Sequence, residues 1–277
     1  MEAKPVSSGH TPKKVRTATL LAFKEQGRKI SCLTSYDQQT AEIFDEAGID
    51  VLLVGDSAAD NVLGYTSTLP ITIEELIPFG RAVSTAAKRA LVVIDMPFGS
   101  YEPGADAALA NGIRLLKTSG AAAVKLEGGQ RSVAQIKKLV EAGIPVMGHL
   151  GFTPQSVNSL GGFKVQGRGP AAQTLIEDAL AVEAAGAFAL VLEMVPAPLA
   201  AEISAQLMIP TIGIGAGSAT DGQILVWTDF AGLSAFKPRT FVKQYANLRT
   251  TLLDAASTYR QEVTEGVFPA PQHSFDS

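Results

Sequence analysis

The sequence predicts one closed (β/α)8 barrel, and three observations point to it. Short apolar runs alternate with Ala-rich helical stretches along the whole chain. Its 277 residues suit a barrel of roughly 250 residues. Four of the apolar runs close on a carboxylate: Asp56, Asp95, Glu127 and Glu193. A strand buried on both faces reads as a near-continuous Val/Ile/Leu run. An acid ending such a run is costly near a core unless it works at the rim, and the strand C-termini are where barrels build their sites. An open doubly wound sheet serves a ligand from a few neighbouring strand ends. Acids on the second, third, fourth and sixth strands converge on one centre only in a barrel.

The elements follow in order. Residues 1–17, rich in Pro, Ser, Thr and Lys, predict a flexible tail. Residues 18–277 form one barrel domain that includes its C-terminal helices. A short helix, Leu20 to Gln26, leads in. Strands are expected at Ile30–Thr34, Val51–Gly55, Leu91–Asp95, Ala123–Leu126, Val146–His149, Leu190–Glu193 and Thr211–Ile214, with a weaker eighth around Ile224–Val226. Helical periodicity marks Gln38–Ala47, Ile73–Ala87, Ala105–Ser119, Val133–Ala142, Thr174–Ala185 and Pro198–Leu207. Gly48, Gly120, Gly143 and Gly186 each stand where a helix ends before the next strand. Thr240 to Glu265 reads as one or more C-terminal helices, and Pro269–Ser277 as a loose extension.

Composition narrows the function. Hydrophobic residues make up 46% and charged ones 18%, ample for a core. A net charge of −4 with scattered bases gives no stripe for nucleic acid or an anionic membrane surface. No apolar run approaches the ~18 residues of a membrane span. The bases near the N-terminus (Lys4, Lys13, Lys14, Arg16) precede no apolar signal segment. The single Cys32 forms no internal disulfide, which fits a cytoplasmic protein. With no histidine near it in sequence, Cys32 reads as a small core residue rather than a nucleophile.

The acids carry the chemistry. Asp56, Asp95 and Glu127 recur about one βα unit apart, on consecutive strands, so their carboxylates share one side of the mouth. Oxygen ligands of this kind suit Mg²⁺ or Mn²⁺ rather than zinc. Taken singly, each acid could cap the following helix or pair with a base. Lys125 lies two residues before Glu127, and alternation puts both on the inner face. It suits a substrate carboxylate; a salt bridge to Glu127 or Asp95 is the structural alternative. Ser57 adds a hydroxyl and a backbone N–H to the same anion. His149, closing the fifth strand, either touches substrate or tunes a neighbour. Glu193, one strand away from the three-acid group, fits a general base. Gly213-Ile-Gly-Ala-Gly217 has the look of an anion loop, although a tight rim turn explains it equally. The glycine-rich stretch Gly161–Gly169 reads as a mobile rim loop, either a lid or a subunit contact.

Ten segments together resemble the ketopantoate hydroxymethyltransferase family: Thr34-Ser-Tyr-Asp37, Val54-Gly-Asp-Ser57, Ser67-Thr-Leu-Pro70, Asp95-Met-Pro-Phe98, Val124-Lys-Leu-Glu-Gly-Gly129, Gly148-His-Leu-Gly-Phe-Thr-Pro-Gln-Ser156, Gly162-Phe-Lys-Val-Gln-Gly-Arg168, Leu192-Glu-Met-Val-Pro196, Ile212-Gly-Ile-Gly-Ala-Gly217 and Thr220-Asp-Gly-Gln-Ile-Leu-Val226. The resemblance covers roughly residues 18 to 275. Ala58-Ala-Asp60 departs from the family pattern by adding an acid near the site. The resemblance implies a Mg²⁺-dependent TIM barrel of the phosphoenolpyruvate/pyruvate superfamily. It implies metal ligation by Asp56, Asp95 and Glu127, and binding of the 2-oxo acid by Ser57 and Lys125, with Asp56, Asp95 and His149 beside them. Glu193 would be the base. The implied reaction moves a hydroxymethyl group from 5,10-methylenetetrahydrofolate to 3-methyl-2-oxobutanoate through a Mg²⁺-stabilised enolate, giving 2-dehydropantoate for pantothenate biosynthesis. A homo-oligomer, a decamer in bacteria, is implied too. The alternative is another Mg²⁺-dependent 2-oxo acid C–C lyase or mutase of the same superfamily. The Lys-Lys-Cys-Gly-His loop of isocitrate-lyase-like members is missing from this sequence.

Overall fold

Eight parallel strands pair in chain order and the eighth pairs with the first, closing a barrel. The computed structural model describes residues 13–235 and 238–275. The strands are β1 Ile30–Thr34, β2 Val51–Val54, β3 Leu91–Asp95, β4 Ala123–Glu127, β5 Val146–Gly151, β6 Ala189–Glu193, β7 Thr211–Ile214 and β8 Gly222–Leu225. The helices are α1 Thr17–Glu25, α2 Gln38–Glu46, α3 Ala58–Asn61, α4 Ile73–Ala86, α5 Ala105–Ser119, α6 Val133–Glu141, α7 Ala171–Ala184, α8 Ala197–Gln206, α9 Trp227–Phe230 and α10 Leu248–Glu265.

Most expected boundaries hold to within one or two residues. The eighth strand lies earlier than expected, beginning at Gly222, which pairs with Ile30. Helix α7 begins at Ala171, directly after Pro170, ahead of the apolar periodicity that starts at Leu175. Of the C-terminal helical stretch, only Leu248–Glu265 is helix, capped where the Asn247 side chain accepts from the Thr250 N–H. The tail expected over residues 1–17 falls outside the described residues up to position 12, as do the last two residues of the expected extension.

The barrel interior explains where the site sits. Alternate residues of each strand point inward. Ile30, Cys32, Val51, Leu53, Leu91, Val93, Ala123, Met147, Ala189, Val191, Ile212 and Ile224 build one buried cluster, joined at the bottom by Val15 and by Leu20 of α1. Continuing the same alternation toward the strand C-termini, Val93 gives way to Asp95 and Ala123 to Lys125 and Glu127. Met147 likewise gives way to His149, and Val191 to Glu193. The inner face therefore changes from hydrocarbon to ionisable groups within one or two residues.

The opposite end is held by structural ion pairs. Asp50, just before β2 and 2% exposed, accepts from Arg89 Nη2 at 2.5 Å and Arg28 Nη2 at 3.0 Å. It also accepts from the Ser31 N–H. Lys24 of α1 reaches Asp221, just before β8, at 3.0 Å.

Two compact units divide the chain, residues 1–225 and 226–277. All eight strands lie in the first. In the second, α10 buries none of its residues, and Leu252, Leu253, Tyr259 and Val263 are exposed. Among the described residues no helix is long and apolar enough to cross a membrane.

Candidate active site

The register of the sheet assembles the site. Asp95 pairs with Lys125 across β3 and β4, Glu127 with His149 across β4 and β5, and Gly151 with Glu193 across β5 and β6. Each pair lies side by side on the inner face at the rim. Asp56 follows β2, and its own backbone N–H donates to Asp95 Oδ2 at 2.9 Å. Asp56, Asp95, Lys125, Glu127 and His149 are all at most 4% exposed. Glu193 is half-buried and faces them from the next strand.

Ionic contacts run in a chain across the cluster. Lys125 Nζ lies 3.0 Å from Asp95 Oδ1 and 3.3 Å from His149 Nδ1. His149 Nδ1 is also 3.3 Å from Glu127 Oε1, and its Nε2 is 3.3 Å from Glu193 Oε2. The Lys125–His149 contact is a hydrogen bond, whereas the carboxylate contacts are at ion-pair distance without hydrogen-bond alignment: Asp95 Oδ1, Glu127 Oε1 and His149 Nε2 are buried with no aligned partner. Sequence order alone could not decide between substrate and salt bridge for Lys125. It pairs with Asp95, and an ammonium with three N–H bonds keeps capacity for a further acceptor.

Burial and like charge shape the ionisation. The Asp56 carboxyl is pushed well above the usual range by burial, then by Asp95 and Glu127, with Lys125 and Gln155 pulling it back. Burial likewise raises Asp95, against the pull of Lys125 and of the Asp56 N–H. Lys125 is held above its ordinary value: burial works against its charge, but Asp95, Glu127 and Asp56 outweigh that. Burial and Lys125 push His149 down, yet Glu127 and Glu193 outweigh them and bring it to about 9. A buried cluster with more carboxylates than cations is short of positive charge, and such a deficit is met by proton uptake or by a bound cation.

The donor set fits a hard divalent cation. The buried, unaligned oxygens Asp95 Oδ1 and Glu127 Oε1 have the right chemistry. Among the described residues, no three His, Cys, Asp or Glu side chains form a ready cage around one point.

The other expected residues fall into place unequally. Ser57 is at the site, its Oγ 2.8 Å from the hydroxyl of buried Tyr36. Ala58 and Ala59 fill the core with no exposed surface, while Asp60 lies on the exposed side of α3, so the departure from the family pattern leaves packing intact. Gln223 Nε2 donates to Gly217 O and Thr220 Oγ1, which closes the glycine turn after β7 on itself. The rim loop at Gly161–Gly169 is tied down where Phe163 stacks on Phe152 at 4.6 Å and the Gln166 N–H donates to Met194 O.

Two residues escape the reading of the strands. Gln155 and Tyr101, both buried, sit among the acids from rim loops. The matched segment Gly148–Ser156 contains Gln155, but nothing in its spacing marks a role. Tyr101 follows β3 by six residues and carries no periodic signal.

Comparison with known proteins is decisive at this point. The model of the family described as ketopantoate hydroxymethyltransferase matches residues 14–271. The chain belongs to the ketopantoate hydroxymethyltransferase family. It is 60% identical over 265 residues to 3-methyl-2-oxobutanoate hydroxymethyltransferase of Leifsonia xyli subsp. xyli, covering 96% of each chain. It is 61% identical over 262 residues to the protein of that name from Mycobacterium tuberculosis, covering 95% of this chain and 93% of the other. Among solved structures, a phosphonopyruvate hydrolase complex with oxalate and Mg++ aligns with a TM-score of 0.60 at 12% identity, over 94% and 93% of the chains. A 2,3-dimethylmalate lyase of the PEP mutase/isocitrate lyase superfamily aligns with a TM-score of 0.58 at 15% identity, over 94% and 91%. At that identity these two speak for the fold, and the barrel of this family member is theirs.

Proposed function

We propose that the protein transfers the one-carbon unit of 5,10-methylenetetrahydrofolate to C3 of 3-methyl-2-oxobutanoate as a hydroxymethyl group, with water supplying the hydroxyl and tetrahydrofolate leaving, to give 2-dehydropantoate in pantothenate biosynthesis. One observation carries the chemistry: three buried acids stand together, and a fourth, Glu193, is linked to them through His149. Separate environments assign separate roles to titratable groups.

Asp56, Asp95 and Glu127 would hold Mg²⁺. A bound Mg²⁺ would supply Lewis-acid stabilisation of the charge that develops on the keto oxygen. Lys125 and the Ser57 hydroxyl and N–H bind the substrate carboxylate, with Tyr36 fixing the Ser57 rotamer through the 2.8 Å contact. Glu193 removes the C3 proton and holds it while the new carbon–carbon bond forms at C3. His149 stands beside the Glu193 carboxylate, its Nε2 3.3 Å from Oε2, and balances its charge. The barrel contributes position and charge, while the folate brings the reactive carbon. Exposed apolar side chains on α10 support assembly as a homo-oligomer, a decamer on the family pattern. The single, buried Cys32 suits a cytoplasmic location.

The test is direct. Purified protein is incubated with 3-methyl-2-oxobutanoate and 5,10-methylenetetrahydrofolate, with and without Mg²⁺, and 2-dehydropantoate is followed by mass spectrometry. Product formed with Mg²⁺ and abolished by a chelator is expected. Undiminished turnover under chelation would remove the metal assignment. Absence of product at any metal concentration would remove the reaction.

A further inference from the structure

Gln155 occupies an unusual place for a neutral side chain. It lies in the short 3-10 turn Pro154–Ser156 after β5 and is 5% exposed. Its Nε2 donates to Asp56 Oδ2 at 2.9 Å and to Met96 O at 3.0 Å. Its backbone N–H donates to Glu127 Oε2 at 3.0 Å. One residue thus grips two of the three acids and the backbone beside the third.

The hydrogen-bond partners of Tyr101 and Gln155 fix the orientation of the amide. Tyr101 OH accepts from the Glu127 N–H at 3.2 Å, so its own proton goes to Gln155 Oε1, 2.6 Å away. With Oε1 committed as acceptor, the NH₂ group faces Asp56 Oδ2 and the Met96 carbonyl. Every bond in this loop has one consistent direction.

The chemistry of an amide matters here. A lysine at this position would hold Asp56 as firmly but neutralise it, and would compete with any cation. An apolar residue would leave Asp56 Oδ2 and Met96 O buried and unpaired. An amide fixes the carboxylate and leaves its charge in place.

We propose that Gln155, braced by Tyr101, is a positioning residue that sets the separation and direction of Asp56 and Glu127, and thereby the affinity of the acid cluster for a divalent cation. This rests on the metal role assigned above to Asp56, Asp95 and Glu127.

Mn²⁺ is a suitable probe, because its binding is read by electron paramagnetic resonance and by calorimetry without turnover. The full-length wild type, Asp56→Asn, Gln155→Met, Tyr101→Phe and the Gln155→Met/Tyr101→Phe double variant are compared, each first shown to be folded by circular dichroism at the temperature used. Wild type is expected to bind Mn²⁺ and Asp56→Asn to lose it. Gln155→Met should weaken Mn²⁺ binding about 10- to 100-fold, the range seen when partners behind metal ligands are removed. Tyr101→Phe should weaken it less, and the double variant should lose less than the two single losses combined, because Tyr101 and the amide share one hydrogen bond while Tyr101 also holds the Glu127 N–H. Should Gln155→Met fail to fold, Tyr101→Phe decides, since it removes only a hydroxyl. Binding within twofold of wild type in the folded Gln155 or Tyr101 variant, with Asp56→Asn still defective, would overturn the positioning role and leave the metal site standing. A wild type that ignores Mn²⁺, or an Asp56→Asn variant that binds it normally, would overturn both.

Discussion

Lys125 carries the clearest conflict between stability and chemistry. An ammonium on the inner face of a barrel is expensive unless acids surround it, and Asp95 at 3.0 Å is its nearest partner. Removing one member of such a buried pair leaves the other charged or forces it to take a proton. Lys125→Met is therefore expected to destabilise the metal-free chain by about 3 kcal/mol or more in a urea unfolding series. A loss below about 0.5 kcal/mol, the size of a surface substitution, would mean that Lys125 does not stabilise the acids. At this scale the sequence was partly readable. Asp95, Lys125, Glu127, His149 and Glu193 lie on strands, where alternation fixes the side of each chain. Asp56 and Ser57 follow directly from β2. Gln155 and Tyr101 were not readable, because their part depends on where two loops fold over the rim.

At the scale of elements, β5 and β6 show how closely backbone is drawn in around the site. Gly151 ends β5 with φ +91°, and a Cβ there would run into the carbonyl oxygen of Glu193. That carbonyl accepts from the Phe152 N–H at 2.8 Å, and Met194, the next residue, has φ 49°. A left-handed non-glycine residue costs of order 1–3 kcal/mol and persists only where its surroundings insist on it. Gly151→Ala is thus expected to lower stability by about 1–3 kcal/mol. It should also slow substrate turnover beyond the loss of folded protein, by shifting the Glu193 backbone. A variant with wild-type turnover per folded molecule would show that this packing does not aim Glu193. Element boundaries were legible where hydrophobic pattern and punctuation agreed, as at Leu91–Asp95 and at the glycines that end helices with positive φ. They were less so where a residue has no side chain to count. Gly222 begins β8 unnoticed because its role is to lie against the Ile30 carbonyl, a space a Cβ would occupy.

The whole molecule divides labour between its two rims. The strand N-termini carry Asp50 with Arg28 and Arg89, and Lys24 with Asp221, all contacts that join elements without facing the acid cluster. The strand C-termini carry the unbalanced carboxylates. In barrels the first rim serves stability and the second chemistry. The closed topology was legible from the number of strands and from acids spread over four of them. Closure through β8 was not, since its short Gly-Gln-Ile-Leu run has little pattern of its own.

Glu193 as base is the claim on which this division of roles rests. Exchange of the substrate C3 proton in deuterated water, followed by NMR with Mg²⁺ present and folate left out, isolates that single step. Wild type should exchange C3 hydrogen, and Glu193→Gln should lose at least about 100-fold, the lower range of general-base catalysis. Asp50→Ala, at the opposite rim, should unfold at lower urea concentration yet exchange at the wild-type rate while folded. Wild-type exchange in Glu193→Gln would contradict the assignment of the base.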